Sequence, residues 1–126
     1  LRDQGHVEQA VAHCEQALVL HRAVGNRYHE GVVLGTLGEL LATRGRFAEA
    51  RDALRTGDGL LRDVGAGPAR ATLLSQSASV EAAAGDPVAA NAALARATQV
   101  LEAIGVGLDS EVGRRVTALR RKFSEA

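Results

Sequence analysis

Glycine recurs along this chain at a fixed interval, and that interval limits the fold more than any other feature. Gly5, Gly45 and Gly85 lie 40 residues apart, and Gly25, Gly65 and Gly105 form a second set with the same spacing. Ala10, Ala50 and Ala90 follow the first set at a constant offset. Val24, Val64 and Ile104 precede the second, with Leu20, Leu60 and Val100 four residues earlier still. Agreement of separate columns on one period is the mark of an array in which a supersecondary unit is stacked on its neighbours. A single unit of this size cannot bury its own apolar face, so adjacent units must cover one another.

Within each unit the apolar spacing is helical. Phe47, Ala50, Leu54, Gly57, Leu61 and Val64 step by three or four and draw one stripe along a helix. Its upstream equivalent is Val7, Ala10, Cys14, Ala17, His21 and Val24, and its downstream equivalent is Ala90, Leu94, Ala97, Leu101 and Ile104. The other half-unit carries Val33, Leu34, Leu37, Leu40 and Leu41. Asp86-Pro87 reads as an N-cap followed by proline at the first helical position, and Gly67-Pro68 opens another helix in the same way. Gly25, Gly65 and Gly105 sit where a left-handed residue ends a helix. The spacing predicts six helices, at about 7–24, 28–44, 47–64, 68–84, 87–104 and 109–122. No segment alternates with period two over strand length. Aromatic residues make up only 2% of the chain, while Ala contributes 24 residues and Leu 16. That composition suits close-packed helices and suits sheets poorly. The expectation is an all-α solenoid of antiparallel helix pairs in one domain.

Charge and cysteine content narrow the function classes. Fifteen basic and fifteen acidic residues balance, so no bulk field favours a nucleic acid or polyanion. The one cysteine, Cys14, can form neither an internal disulfide nor a cysteine metal cage, and a cytoplasmic location is expected. No apolar run approaches membrane-spanning length. The chain opens on Leu1 rather than methionine, so it is expected to be a piece of a larger protein. An Arg count of 14 against one Lys suggests a bacterial genome rich in G and C.

From Glu30 to Gly65 the residues Leu34, Leu37-Gly38, Leu41, Gly45, Ala50, Leu54 and Gly57 resemble the tetratricopeptide repeat pattern. The next unit keeps Leu74, Ala78, Gly85, Ala90, Leu94 and Ala97, but has Ser77 and Glu81 where leucine and an aromatic are usual. The resemblance spans a half-unit (1–24), two full units (28–64 and 68–104) and a terminal helix (109–122). The 40-residue period resembles the long-helix repeats of kinesin light chain, of the LGN/Pins adaptors and of bacterial signalling ATPases and kinases. Those families carry a Leu-Gly-Asn-Leu-Gly string whose asparagine holds a bound peptide backbone. Here the string is Leu34-Gly35-Thr36-Leu37-Gly38, and the later copies have Gln76 and Val116 in the asparagine column. The resemblance implies a right-handed superhelix whose inner face is lined by the first helix of each pair. It maps that face onto Val32, Gly35, Thr36 and Glu39, then Thr72, Ser75, Gln76 and Ser79, then Val112, Arg115 and Leu119. This lining is small and mostly neutral, without the Lys and Asn set that holds a C-terminal carboxylate in chaperone-binding relatives.

No catalytic, cofactor or metal site is expected. Val64-Gly65-Ala66-Gly67-Pro68-Ala69 imitates a dinucleotide fingerprint, but Arg70 stands where a third glycine must pack, and the preceding residues are helical. The histidines His6, His13, His21 and His29 are spaced seven and eight apart, about two helical turns, too far along one helix to share an ion. Cys14 shares a column with Leu54 and Leu94 and reads as a small buried hydrophobe. Residues 112–126 carry a net charge of +4 against −4 for the rest, which fits a solvated capping helix. The expected function is a non-catalytic module presenting a concave helical surface to a protein or peptide, without nucleic acid or membrane. The alternative is a structural or regulatory spacer within a multidomain signalling protein. Gly5 reads as the close of a helix lying mostly upstream. Its loss would leave Val7, Val11 and Leu18 uncovered and promote self-association through the first helix.

Overall fold

The computed structural model describes residues 2–107 and 109–124. Six helices follow in order: α1 (Arg2–Ala23), α2 (Arg27–Thr43), α3 (Phe47–Asp63), α4 (Gly67–Ala83), α5 (Pro87–Ala103) and α6 (Glu111–Ser124). There is no strand among the described residues. The first five helices end in the same way. Gly25, Gly45, Gly65, Gly85 and Gly105 all have positive φ, between 70° and 82°, where an L side chain is strained. In each turn the residue after glycine donates its N–H back to a carbonyl five residues earlier, as Asn26 does to His21 at 2.8 Å and Arg46 to Leu41 at 2.9 Å. That pairing satisfies carbonyls a helix end would otherwise leave bare. The left-handed turn therefore recurs every 20 residues, twice per unit.

Gly5 departs from this pattern. It lies inside α1, with no positive φ, so the expected break before residue 7 does not occur. Helix runs continuously through Gly5, at a cost of about 1 kcal/mol for the glycine. The start of α6 also moves, from 109 to Glu111. Ser110 caps it, accepting from the Gly113 N–H at 3.0 Å while donating to the Gly107 carbonyl.

Helix pairs form the core. α2 and α3 cross through glycine: a side chain at Gly57 would meet the Gly31 carbonyl at 3.0 Å, and one at Gly38 would meet Leu54 at 2.6 Å. α4 and α5 cross at the equivalent positions through Ala71, Ala78 and Ala97, all fully buried. Leu37, Leu54 and Leu94 are buried, as their stripes require. Val64 and Ile104, the last residues of two stripes, are exposed at the helix ends.

α4 joins two clusters. Leu73 and Val80 point into a core built from α1, α2 and α3, while Ala71, Leu74 and Ala78 point into one built with α5 and α6. α2 also packs on α4, and α4 on α6, whereas among the described residues the backbones of α1, α3 and α5 do not come together. The contacting row α2, α4, α6 thus forms the inner side of the array, and the separated helices form its outer side.

α1 rests on α2 alone. Val11 and Leu18 face it and are 7% and 4% exposed, which corrects the expectation that they lie uncovered. The stripe thought to be buried, Ala10, Cys14, Ala17 and His21, is only half-buried. Its equivalents in α3 and α5 are each covered by a paired helix that α1 lacks among the described residues.

Candidate functional site

The inner face is built by side chains one or two turns apart on α2, α4 and α6. Glu39 of α2 is its hub. Its Oε1 accepts from the Gln76 side-chain Nε2 of α4 at 2.9 Å, and its Oε2 lies 3.5 Å from the Arg115 Nη2 of α6. Arg115 also donates from Nε to the Ser75 hydroxyl at 2.8 Å, and that hydroxyl donates to the Thr72 carbonyl at 2.6 Å. One polar chain therefore ties the three inner helices together.

Gly35 makes this chain possible. A Cβ there would collide with the Gln76 Oε1, so any side chain at this position would make the amide shift from its place against Glu39. The amide's orientation follows from its partner, because a carboxylate only accepts and the nitrogen must face it.

Of the residues assigned to the inner face, the structure brings Val32, Thr36, Glu39, Thr72, Gln76, Ser79 and Arg115 to the groove between the three helices. Ser75 requires a correction, for it is fully buried beneath Arg115 and offers no surface to a partner. Its position one residue before Gln76 turns it into the helix crossing. Val112 and Leu119 are half-buried against the second core cluster rather than free in the groove. Two hollows flank the Glu39–Gln76 contact. One of about 290 Å³ lies toward Tyr28, and one of about 180 Å³ lies toward Thr43 and Ala83.

The outer side carries ionic contacts that the sequence did not signal directly. Arg51 of α3 grips Glu81 of α4 with two bonds of 3.0 and 2.9 Å, and this contact raises the Arg51 pKa further. Glu81 is thereby explained: it departs from the repeat pattern together with a partner on the neighbouring helix. Asp58 accepts from Arg70 at 2.7 Å and from Arg96 at 3.2 Å, linking α3, α4 and α5. Arg51, Glu81, Asp58 and Arg96 border a cavity of about 420 Å³.

His21 and His29 stack with centroids 5.3 Å apart. Their spacing of eight suggested separation along one helix, but the Gly25 turn folds one against the other. Burial, and then the neighbouring Glu15, push the Cys14 thiol up, the reverse of what a nucleophile needs. Among the described residues, no helix is long and apolar enough to cross a membrane.

A tetratricopeptide repeat family model matches residues 1–57, which hold α1, α2 and the first turns of α3. No curated protein and no solved structure gave a match. Repeats of this kind generally mediate protein–protein contacts and are typically non-catalytic. The match falls on helices whose turns and crossings recur through the rest of the array, which supports a tetratricopeptide repeat protein.

Proposed function

We propose that this chain is a non-catalytic interaction array, one domain made of a half-unit, two full units and a terminal helix, whose inner face holds a protein partner. The observation that carries this reading is the Glu39–Gln76–Arg115–Ser75 chain of contacts. It fixes α2, α4 and α6 relative to one another, so Thr36, Thr72 and Ser79 form a pre-set surface and little ordering is needed on binding. A photo-crosslinking residue placed at Thr36 or Ser79 should yield a discrete polypeptide adduct in extracts of the source cells, while the same residue at outer position Arg55 should not. Equal yields from both sides would refute the inner-face assignment. Self-contact through α1 belongs to the same reading, carried by Leu20 and Val24, 67% and 77% exposed, in place of Val11 and Leu18.

A second reading, a spacer in a multidomain bacterial signalling protein of the cytoplasm, draws support from the same contacts. Glu39, Gln76 and Arg115 satisfy one another, so the charges at the centre of the face are paired. For a spacer, Arg115→Ala would loosen the array without changing capture of any partner.

A further inference from the structure

Tyr28 and Val32 are large hydrophobic side chains left 45% and 37% exposed on α2. They stand one turn apart, and both line the 290 Å³ cavity on the inner face. Across from them, on α4, stand Ala69 and Thr72, with the buried Leu73 as the floor. Thr36 and Gln76 close the end toward Glu39.

Among the described residues, no charged side chain lines this cavity, although charged residues make up 24% of the chain. The outer cavity, by contrast, is bordered by Arg51, Arg55, Asp58, Glu81 and Arg96. Two charges beyond the Gln76 end, Glu39 and Arg115, already pair with each other. The cavity nonetheless carries hydrogen-bonding capacity at its rim. Among the described residues, the Tyr28 hydroxyl, the Thr36 hydroxyl and the Gln76 Oε1 have no partner within the chain, whereas Thr72 donates to the Pro68 carbonyl. Two hydroxyls and an amide oxygen can donate to a peptide carbonyl and accept from a peptide N–H. An apolar hollow with a few convergent polar groups is the usual form of a recognition pocket.

We propose that the inner face recognises an extended partner segment by one uncharged, apolar side chain seated in the cavity between Tyr28, Val32, Ala69 and Thr72. The segment's backbone is held by the Tyr28 and Thr36 hydroxyls and the Gln76 amide oxygen. This rests on the inner-face reading above and adds what the face selects. A charged anchor would lose its hydration against Leu73 and Val32 with no counter-charge to meet it, so charge complementarity excludes it.

Short random peptides displayed on phage, selected on the 126-residue chain, test this directly. Selected peptides should share an aliphatic or aromatic residue at one fixed position. In synthetic copies, Asp or Lys at that position should weaken binding at least about tenfold, as burial of an unpaired charge predicts. Val32→Glu should weaken binding equally, and Val32 is exposed enough for that variant to keep its helical spectrum. Thr36→Lys gives a second, fully surface-borne test with the same expected loss. Thr43→Glu, beyond Glu39, should leave affinity within about twofold, and raising salt should change it little. Peptides that tolerate Lys at the shared position, or bind Val32→Glu and Thr36→Lys as well as the parent, would overturn the anchor. If such peptides are still lost on Arg115→Ala or Thr43→Glu, the inner face survives as the docking surface. Peptides indifferent to every inner-face variant, or a chain that enriches none, would overturn both.

Discussion

At the scale of single residues, glycines in the same helix do opposite things. Gly57 lies where α3 crosses α2, and a Cβ there would meet the Leu73 side chain at 2.7 Å and the Gly31 carbonyl at 3.0 Å. The carbonyl cannot move without shifting the helix, so Gly57→Ala should cost about 1–3 kcal/mol through overpacking. Gly59, two residues on, has only an Arg62 guanidinium nitrogen nearby, at 3.8 Å. Gly59→Ala should be neutral or stabilise α3 by up to about 1 kcal/mol through helix propensity. Chemical denaturation of the two variants reads the contrast directly, and similar midpoints would mean the crossing is looser than described. Cys14 has a different residue-scale signature. Its raised pKa lowers the thiolate fraction at any pH below the shifted value. Alkylation by iodoacetamide should therefore be slower than for a free cysteine at neutral pH and should catch up only under alkaline conditions. Rapid labelling at neutral pH would contradict the burial that causes the shift.

At the scale of elements, caps and stripes decide which helices tolerate damage. Asn26 and Asp86 each accept a backbone N–H three residues on, at 3.1 and 3.0 Å, whereas Arg46 and Ala66 begin their helices without a side-chain cap. Asn26→Ala and Asp86→Ala should each cost about 1 kcal/mol. Leu94→Ala should cost more, about 2–5 kcal/mol, because Leu94 is fully buried among Ala93, Ala97 and the helices beside them. Thermal melts of the three variants should rank Leu94→Ala last. Most of this level was legible in the sequence, since period, proline, glycine and cap residues act locally. What was not legible depends on neighbours several turns away. Gly5 matches the turn column, yet it lies inside the continuous helix Arg2–Ala23. Val11 and Leu18 are buried because α2 is the single helix beside α1, which a stripe drawn from other units cannot reveal. Ser75 occupies an inner-face register position, yet Arg115, 40 residues later, covers it. Glu81 stood out as a departure from the pattern, but its meaning needed Arg51 on another helix. α6 was readable as a solvated helix from the net charge of +4 carried by residues 112–126.

At the scale of the whole molecule, stability follows from who touches whom. Each helix meets its sequence neighbours and the next helix of the inner row, so the array is close to one-dimensional, and local damage should stay local. α4 is the exception, since its two faces serve two separate core clusters. Val116 tests this arrangement. It is 1% exposed, belongs to the second cluster, and attaches α6 to α4 and α5. Val116→Asp would bury an unpaired carboxylate at a cost of about several kcal/mol, more than the contacts of a terminal helix of 14 residues should withstand. α6 should therefore detach and carry Arg115 away from Glu39, while α2 and α3, whose core contains Leu34, Leu54 and Leu61, stay folded. Amide hydrogen exchange would show protection lost across Glu111–Ser124, reduced in α5, and preserved in α2 and α3. Uniform loss along the chain would mean that α4 couples the two clusters into one cooperative unit. In that case a partner gripping the inner face at α2 would also be felt at α6.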